Sequence, residues 1–387
     1  MTFNIVLLSL AAFASAASMR VTDAMLPRLA SEFHVGLAQA AHVITVFAVA
    51  YGVMQMAFGP MGDRFGKLRV IGMAAVGAAA ATLACALAPG FEAFVAGRLF
   101  AGALCAAIIP LAMAWIGDVV PYTERQPVIA RFLLGQILGL GGGTAIGGLA
   151  ADDAQWRWPF ALLAAWLLVS GLLLVRAARH DPGPRNAAGG HFLRDAARVL
   201  AAPWARVVVA TVLFEGTVVF GAMAFIPTHL HLARGFSAAH AGFAMLAFAA
   251  GGVGFALFAR AFVRRLGEVG LAVGGTFLMA AGLALVAWTP HAAMAPAGCL
   301  LAGLGFYMLH NTLQTNATQM APERRGAGMA LFASMLFLGQ AAGVAAAGWV
   351  VEHSGAVVVL LGAALAILPI GLAFAWLRKG RGEGYRA

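Results

Sequence analysis

Long apolar segments recur along the whole of this chain, separated by short polar breaks. Each has about 20 residues or slightly more, the length that a helix needs to cross a hydrocarbon layer of about 30 Å. Of the 387 residues, 62% are hydrophobic and 10% are charged, whereas soluble domains have about 45–50% and about 25%. An apolar surplus of that size must face lipid. We therefore predict a multi-span membrane protein.

Twelve such segments are predicted, and we number them spans 1 to 12 in chain order. Backbone groups in lipid must pair within their own segment, and the residues do not alternate as in a barrel strand, so each span is predicted to be a helix. The apolar start of the chain has no basic residue ahead of it, and we interpret it as span 1 rather than as a signal peptide. The predicted bounds are 4–25, 39–61, 69–89, 92–116, 131–151, 159–176, 206–228, 239–260, 269–288, 293–316, 327–350 and 355–377.

The longest break between spans divides the chain into two halves that resemble each other. A shift of about 200 residues places Pro27 on Pro227 and Gly66 on Gly267, which is typical of parallel six-span repeats. Within the break, "FLRDAARVL" is predicted to form a short surface helix. The predicted fold is an all-α membrane protein of twelve transmembrane helices, with one six-helix bundle over 1–176, a cytoplasmic linker over 177–205 and a second six-helix bundle over 206–387.

Most of the 25 lysines and arginines fall at breaks that one orientation places on a single side of the membrane. Positively charged loops stay in the cytoplasm, so both termini are predicted to be cytoplasmic. This distribution also explains the net charge of +10 without a nucleic-acid partner. The three cysteines lie inside apolar segments and form no metal or disulfide pattern, so we expect no metal and no cofactor.

The break between spans 2 and 3, "GPMGDRFGKLRV", concentrates charge that is scarce elsewhere. It resembles the signature loop of the major facilitator superfamily, Gly-x-x-x-Asp-Arg-x-Gly-Arg/Lys. The resemblance implies an inner gate, in which Asp63 lies near the start of span 11 and Arg64 near Asp118 at the end of span 4. A solvated basic loop that only sets topology is the alternative. The residues of this predicted gate are Gly59, Asp63, Arg64, Gly66, Lys67 and Asp118.

Span 5 contains "GLGGGTAIGG", which resembles the antiporter motif of drug:proton exporters in the same superfamily. Thr144 stands where that motif has proline. Small residues at every fourth position let helices approach closely, so ordinary helix packing is the alternative. As an antiporter motif, the stretch implies export. The matching glycines are Gly139, Gly143, Gly147 and Gly148.

Spans 1 and 4 each hold charged residues in an apolar setting. Arg20 and Asp23 are three residues apart, which puts them on one helical face. Arg98, followed by Gly102, resembles the superfamily's span-4 motif, and a charge within a span usually faces a cavity or a partner. We predict a cluster of Arg20, Asp23 and Arg98 in the outer half of a central cavity. An internal pair at a helix end is the alternative.

Spans 7 and 10 carry the other unusual polar residues. Glu215 is the one acid in span 7, near its middle, where a carboxyl suits reversible protonation or the binding of a cationic group. In span 10, His310 and Gln314 share a helical face, Tyr307 precedes them by one turn, and Asn311 follows His310. Spans 1, 4, 7 and 10 line the central cavity in the superfamily that the chain resembles. Hydrogen bonding between helices is the alternative role for each residue.

The resemblance covers the whole chain and implies a secondary transporter of the bacterial inner membrane that works by alternating access. We predict proton-coupled efflux of a small organic, drug-like or amphipathic molecule, by a monomer whose partners are that substrate, protons and the bilayer. The predicted proton-coupling residues are Asp23, Glu215 and Arg98, and the predicted substrate cavity consists of Arg20, Arg98, Glu215, Tyr307, His310, Asn311 and Gln314.

Several alternatives are open at this point. The first is proton-coupled uptake of a small organic acid, which Arg20 and Arg98 would favour as carboxylate ligands. Sodium coupling is a second. A membrane-embedded enzyme or a sensor is a third, but the sequence offers no nucleophile–base constellation for an enzyme. It also contains no phosphate-binding loop, so nothing suggests an ATP-driven pump. We expect a non-enzymatic protein.

Overall fold

The computed structural model describes residues 2–153, 155–179, 192–288 and 294–383. Within these residues, ten helices are long and apolar enough to cross a membrane. One of them, Ala238–Trp288, is interrupted at Gly267 and contains spans 8 and 9. The helix Met294–Gln319, which is less apolar because of its polar residues, supplies span 10. The prediction of an all-α membrane protein with twelve spans is therefore confirmed.

Most helix ends lie within a few residues of the predicted bounds; the regular helix of span 1 ends earlier, span 5 begins earlier, and spans 7, 8 and 12 extend further than predicted. The predicted surface helix is also present, whereas residues 180–191 of the predicted linker lie outside the described residues. The helices are Thr2–Arg20, Leu26–Phe33, Leu37–Ala40, His42–Phe65, Lys67–Ala86, Phe91–Cys105, Ile108–Val119, Tyr122–Asp152, Trp158–Ala178, Phe192–Ala201, Pro203–Glu215, Gly221–Arg234, Ala238–Trp288, Met294–Gln319, Arg325–Ser354 and Ala356–Glu383, with 3₁₀ turns at Asp23–Met25 and Pro322–Arg324 and a π-helical turn at Gly216–Phe220.

Two glycines with positive φ make the turns between spans 2 and 3 and between spans 8 and 9. Gly66 has φ of 92° and Gly267 has φ of 61°. A Cβ atom disfavours this conformation, so glycine lets the chain turn there without a longer loop. We call the membrane end that carries these two turns the linker end, because the break between the halves lies on the same side. The opposite end is the far end.

Three large clusters and one small cluster of buried apolar side chains hold the described helices together. One draws on side chains from Ile5 to Leu174, and a second on side chains from Val199 to Ala375. We propose that these two clusters mark the two predicted bundles. The third lies at the far end, where Phe225 and Val344 of the second half pack against first-half spans. The far end is therefore where the halves share a core.

Span 5 packs backbone to backbone against span 1 through the predicted glycine motif. Three of its glycines lie against span-1 backbone at positions that also recur every four residues, so the two helices stay in register over several turns. Gly148 instead lies against Ala238 at the start of span 8, in the other half. The glycines in register with span 1 are Gly139 at Phe13, Gly143 at Ala17 and Gly147 at Val21.

Replacing Gly143 by alanine is expected to lower the thermal stability of the purified protein. The added Cβ would lie 2.6 Å from the Cα atom of Ala17 and would force spans 1 and 5 apart. Gly142 is the matched control, since a Cβ there meets the Phe13 ring at an ordinary 3.5 Å, and alanine favours a helix over glycine by about 1 kcal/mol. Thermal unfolding in detergent measures both variants. Equal melting temperatures would show that the packing of these spans does not depend on Gly143.

Candidate functional site

A buried ion pair lies where span 1 stops being a regular helix. The first helix ends at Arg20, and a 3₁₀ turn begins at Asp23. Nη1 of Arg20 donates a hydrogen bond to Oδ2 of Asp23 over 3.0 Å, and each side chain is only 1% exposed. Phe220 of span 7 covers one face of the guanidinium, with its ring centroid 4.6 Å from Cζ. The pair therefore lies between the two halves.

Arg98 of span 4 holds the backbone of spans 1 and 2. Its Nη1 donates to the carbonyl of Ser18 over 2.6 Å and its Nε to the carbonyl of Val43 over 3.2 Å. The guanidinium lies over the Phe47 ring, 4.3 Å from its centroid, and is 1% exposed. It also interacts electrostatically with Asp23. Arg98 thus lies with the Arg20–Asp23 pair, but its hydrogen bonds go to main-chain carbonyls.

A second buried pair lies in span 7 and span 10. Oε2 of Glu215 is 2.8 Å from Nδ1 of His310, and the carboxyl side chain is completely buried. A π-helical turn, Gly216–Phe220, follows Glu215 directly. Such turns are rare and often occur at functional sites. No local residue pattern indicates this turn, because π-helical geometry depends on packing against neighbouring helices.

Aromatic rings connect the two pairs. Phe220, which covers Arg20, packs edge to face on Phe306 with centroids 5.3 Å apart. Phe306 in turn stacks on the imidazole of His310 at 5.0 Å. A packed route therefore runs from the Arg20 guanidinium to the histidine that contacts Glu215. Neither phenylalanine stands out in the sequence, since aromatic residues in apolar spans are ordinary.

Tyr307 lines a small gap beside Arg20, one helical turn before His310. Both halves of the chain contribute to the walls of this gap. Thr144 comes from span 5, and Met223 and Phe248 come from spans 7 and 8. The gap therefore lies at the central interface, with a charged end at Arg20 and mostly apolar walls.

Asn311 and Gln314, also predicted for the cavity, are exposed and lie further towards the linker end. Among the described residues, neither side chain donates a hydrogen bond to a central pair. Asn316 is buried instead, and its Nδ2 donates to Oε2 of Glu268 over 3.1 Å. Arg378 donates to the same oxygen over 2.7 Å. The sequence pattern could not separate Asn316 from Asn311, since both are polar residues of one helix.

The signature loop places a lysine between two carboxylates at the linker end. Nζ of Lys67 lies 2.8 Å from Asp63 and 2.8 Å from Asp118. The predicted contact of Arg64 with Asp118 is wrong, because Arg64 is exposed and lies over Phe65. The turn at Gly66 explains this, since it starts span 3 at Lys67, beside the end of span 4. The contact of Asp63 with the start of span 11 stays a prediction, and Gly59 has open space around it.

At the far end, one carboxylate joins the two halves. Asp152, at the end of span 5, accepts hydrogen bonds from the backbone N–H groups of Ala238 and Ala239, each over 2.9 Å. These groups are at the start of span 8, so the carboxylate caps a helix of the other half and meets the positive end of its dipole. The linker-end ion pairs described above each join residues of a single half.

The central groups can bind charged or polar molecules and can exchange protons. One carboxyl faces an imidazole and the other faces a guanidinium, so each proton or ligand that enters changes a buried charge balance. Among the described residues, no group of three or more His, Cys, Asp or Glu side chains could hold a metal ion. The three cysteines are free and buried.

The chain is similar in sequence and in fold to known membrane transporters. A sequence profile of the Major Facilitator Superfamily matches residues 8–342. The uncharacterized MFS-type transporter YceJ of Bacillus subtilis is 26% identical over 347 residues, which cover 86% of each chain. The multidrug export protein EmrB of Haemophilus influenzae is 26% identical over 40% of this chain and 30% of its own length. A crystal structure of the nucleoside transporter NupG superimposes with a TM-score of 0.79 at 16% identity, over 96% of this chain and 98% of that one.

Replacing Arg98 by methionine is expected to destabilise the protein strongly. The carbonyl of Ser18, in the last turn of the first helix, would lose its donor, and a buried group left without one costs about 1–3 kcal/mol. Arg28→Met is the matched control, because Arg28 pairs with Glu32 at the surface, where the side chains are 33% and 29% exposed and such a pair contributes about 0–1 kcal/mol. Thermal unfolding compares the two. If Arg98→Met lowers the melting temperature no more than Arg28→Met does, the hydrogen bonds of Arg98 do not stabilise the protein.

Proposed function

The chain belongs to the Major Facilitator Superfamily, and from that premise we propose that it exports a small organic molecule in exchange for protons. Its relatives are named transporters, so it is a membrane transporter and not an enzyme. The observation that carries the finer proposal is the Glu215–His310 pair, buried at the point where span 7 leaves regular helical geometry. A relative named as a multidrug export protein supports the outward direction.

The buried pair suits proton coupling because its two members can hold one proton in more than one way. The imidazole of His310 is 14% exposed, whereas Glu215 is fully buried. A proton can therefore reach the pair through His310. The π-helical turn begins at the residue after Glu215, and this residue, Gly216, lies against the backbone of Leu336 in span 11. A change of charge on Glu215 would thus act on the contact between spans 7 and 11.

Alternating access is supported by where the halves touch. At the far end they share an apolar cluster and the Asp152 helix cap. At the linker end, Lys67 pairs with Asp118 and Arg378 with Glu268, each within one half. We propose that the described arrangement is closed at the far end and that its opposite is reached by breaking the far-end contacts. The distribution of lysine and arginine supports a cytoplasmic linker end, and the relative from Bacillus subtilis supports a bacterial inner membrane.

Proton-coupled uptake of a small organic acid is the second candidate. It is favoured by Arg20, which brings a guanidinium to the central gap. The two candidates share the central site and the proton-coupling pair. They differ in whether substrate and proton cross in opposite directions or together.

Replacing Glu215 by glutamine is expected to abolish transport driven by a pH gradient, because the amide cannot take up and release the proton. Everted vesicles with a respiration-driven gradient are given fluorescent probes that are cationic, neutral or anionic, and nigericin collapses the gradient. The control is Glu32→Gln, which changes a far-end surface carboxylate that pairs with Arg28 and Arg157. Nigericin-sensitive transport by Glu215→Gln at the wild-type rate would remove this carboxyl from proton coupling.

Replacing Asp152 by alanine is expected to open the far end more often. The start of span 8 would lose its cap, and such caps contribute about 0.5–2 kcal/mol. Spin labels at Ala93 and Ser354, which are exposed at the far end of opposite halves, report the opening as a longer distance in electron spin resonance. The control is Asp153→Ala, since Asp153 accepts from Gln155 within its own loop. Identical distance distributions in the two variants would contradict the role of Asp152.

A further inference from the structure

We propose that the substrate is an amphipathic organic acid whose carboxylate binds the Nε and Nη2 edge of Arg20. The inference rests on the proposed function, transport of a small organic molecule, and names the chemical class of that molecule. Four observations support it: the hydrogen-bonding state of Arg20, the charge balance around it, the walls of the adjoining gap and the position of that gap between the halves.

The guanidinium of Arg20 is only partly used by the protein. Nη1 donates to Asp23, and the Phe220 ring covers one face. Nε and Nη2 are buried and have no hydrogen-bond partner among the described residues. These two nitrogens form one edge of the guanidinium, with parallel N–H groups spaced to match the two oxygens of a carboxylate. Leaving such donors unpaired in a buried site is costly, so the edge is suited to a ligand.

The charges around Arg20 leave one positive charge uncompensated. Arg20 and Arg98 are both buried, and among the described residues Asp23 is the one carboxylate that interacts with both. Glu215 and His310 contact each other and form a separate pair. A buried charge without a counter-ion is unfavourable in a membrane interior. One carboxylate would complete the balance, and an ammonium group would worsen it.

The gap next to Arg20 favours an apolar body attached to the charged head. Its other walls include Leu140, Met223, Met245 and Phe248, with Thr144 and Tyr307 as the polar side chains nearby. Methionine is flexible and polarizable, so this wall can adapt to different apolar shapes. The gap is small in the arrangement described, and movement of the methionines and of the halves would enlarge it.

The position of the gap connects binding with movement. Arg20, Leu140 and Thr144 belong to the first half, whereas the methionines, Phe248 and Tyr307 belong to the second. A bound acid would therefore contact both halves at once. Its head would also lie one ring contact away from the Phe306–His310 stack, through Phe220.

The test is a binding measurement on the full-length protein in lipid nanodiscs, with matched sets of probes. Each set keeps one tail and changes the head: 4-phenylbutyrate, 4-phenylbutanamide and 4-phenylbutylamine, and the corresponding octanoate and cyclohexanecarboxylate series. For at least one tail, the carboxylate is expected to bind at least on the order of 30-fold more tightly than the amide, as for a buried charge pair. The amine is expected to bind most weakly. Equal binding of acid and amide in all three sets, or tighter binding of the amine, overturns the proposal.

Arg20→Lys assigns the preference to the guanidinium edge. Lysine keeps the positive charge and can still contact Asp23, but it cannot offer two parallel N–H groups, so the preference for the acid should fall to a few-fold. The matched control is Arg28→Lys, which lies on the same span and pairs with Glu32 away from the gap. An undiminished preference in Arg20→Lys overturns the assignment. The wild-type comparison of acid and amide decides the substrate class even if Arg20→Lys does not fold.

Binding in nanodiscs needs no gradient, and this separates the inference from the proposed function. Acid-selective binding without nigericin-sensitive transport in vesicles would refute proton-coupled export and leave the carboxylate site standing. Nigericin-sensitive transport of neutral or cationic probes, together with no acid preference in binding, would refute the carboxylate site and leave the export proposal standing.

Discussion

The hydrogen bonds from Arg98 to the carbonyls of Ser18 and Val43 are the contacts on which the centre of the first half depends. Carbonyls that lose their helical partner inside a membrane have no water to replace it. Arg98 donates to the carbonyl of Ser18. Span 1 can therefore leave α-helical geometry at Arg20 while the carbonyl of Ser18 keeps a hydrogen-bond donor. The interruption in turn places Arg20 and Asp23 side by side between the halves. Arg98, which the sequence predicts for the substrate cavity, thus holds the backbone of spans 1 and 2 through its hydrogen bonds.

The two halves repeat the same two backbone features, an interrupted helix and a glycine turn, with different residues. In each, a spanning helix changes geometry next to a buried carboxyl: span 1 through a 3₁₀ turn at Asp23, and span 7 through a π-helical turn after Glu215. In each, a glycine with positive φ is followed by a charged residue that pairs with the end of another span. The signs are reversed, since Lys67 meets Asp118 whereas Glu268 meets Arg378. Geometry is repeated between the halves, while the charges that occupy it are not.

Glycine contacts and aromatic contacts have different roles in the packing of the helices. The register of span 5 on span 1 allows backbones to touch, which gives a close and extensive contact within the first half. Between the halves, the central contact is made by side chains, since the Phe220 ring of the second half covers the Arg20 guanidinium of the first half. Side-chain contacts can be remade after a small shift more easily than an interlocked backbone. Nearer the far end, Gly148 and Gly242 bring the backbones of spans 5 and 8 together, so the halves meet through side chains at the centre and through backbone towards the far end.

The sequence by itself determined the twelve helical spans, because the hydrocarbon layer imposes both their length and their internal hydrogen bonding on each segment separately. It also singled out Arg20, Asp23, Arg98, Glu215 and His310, because charge is costly in lipid and therefore conspicuous. Only the tertiary structure decided the partners: Lys67 rather than Arg64 for Asp118, main-chain carbonyls for Arg98, Asn316 rather than Asn311 on the buried side of span 10, and the aromatic route between the two pairs. Those choices depend on the rotation and spacing of helices that are far apart in the chain, and no local pattern of residues contains that information.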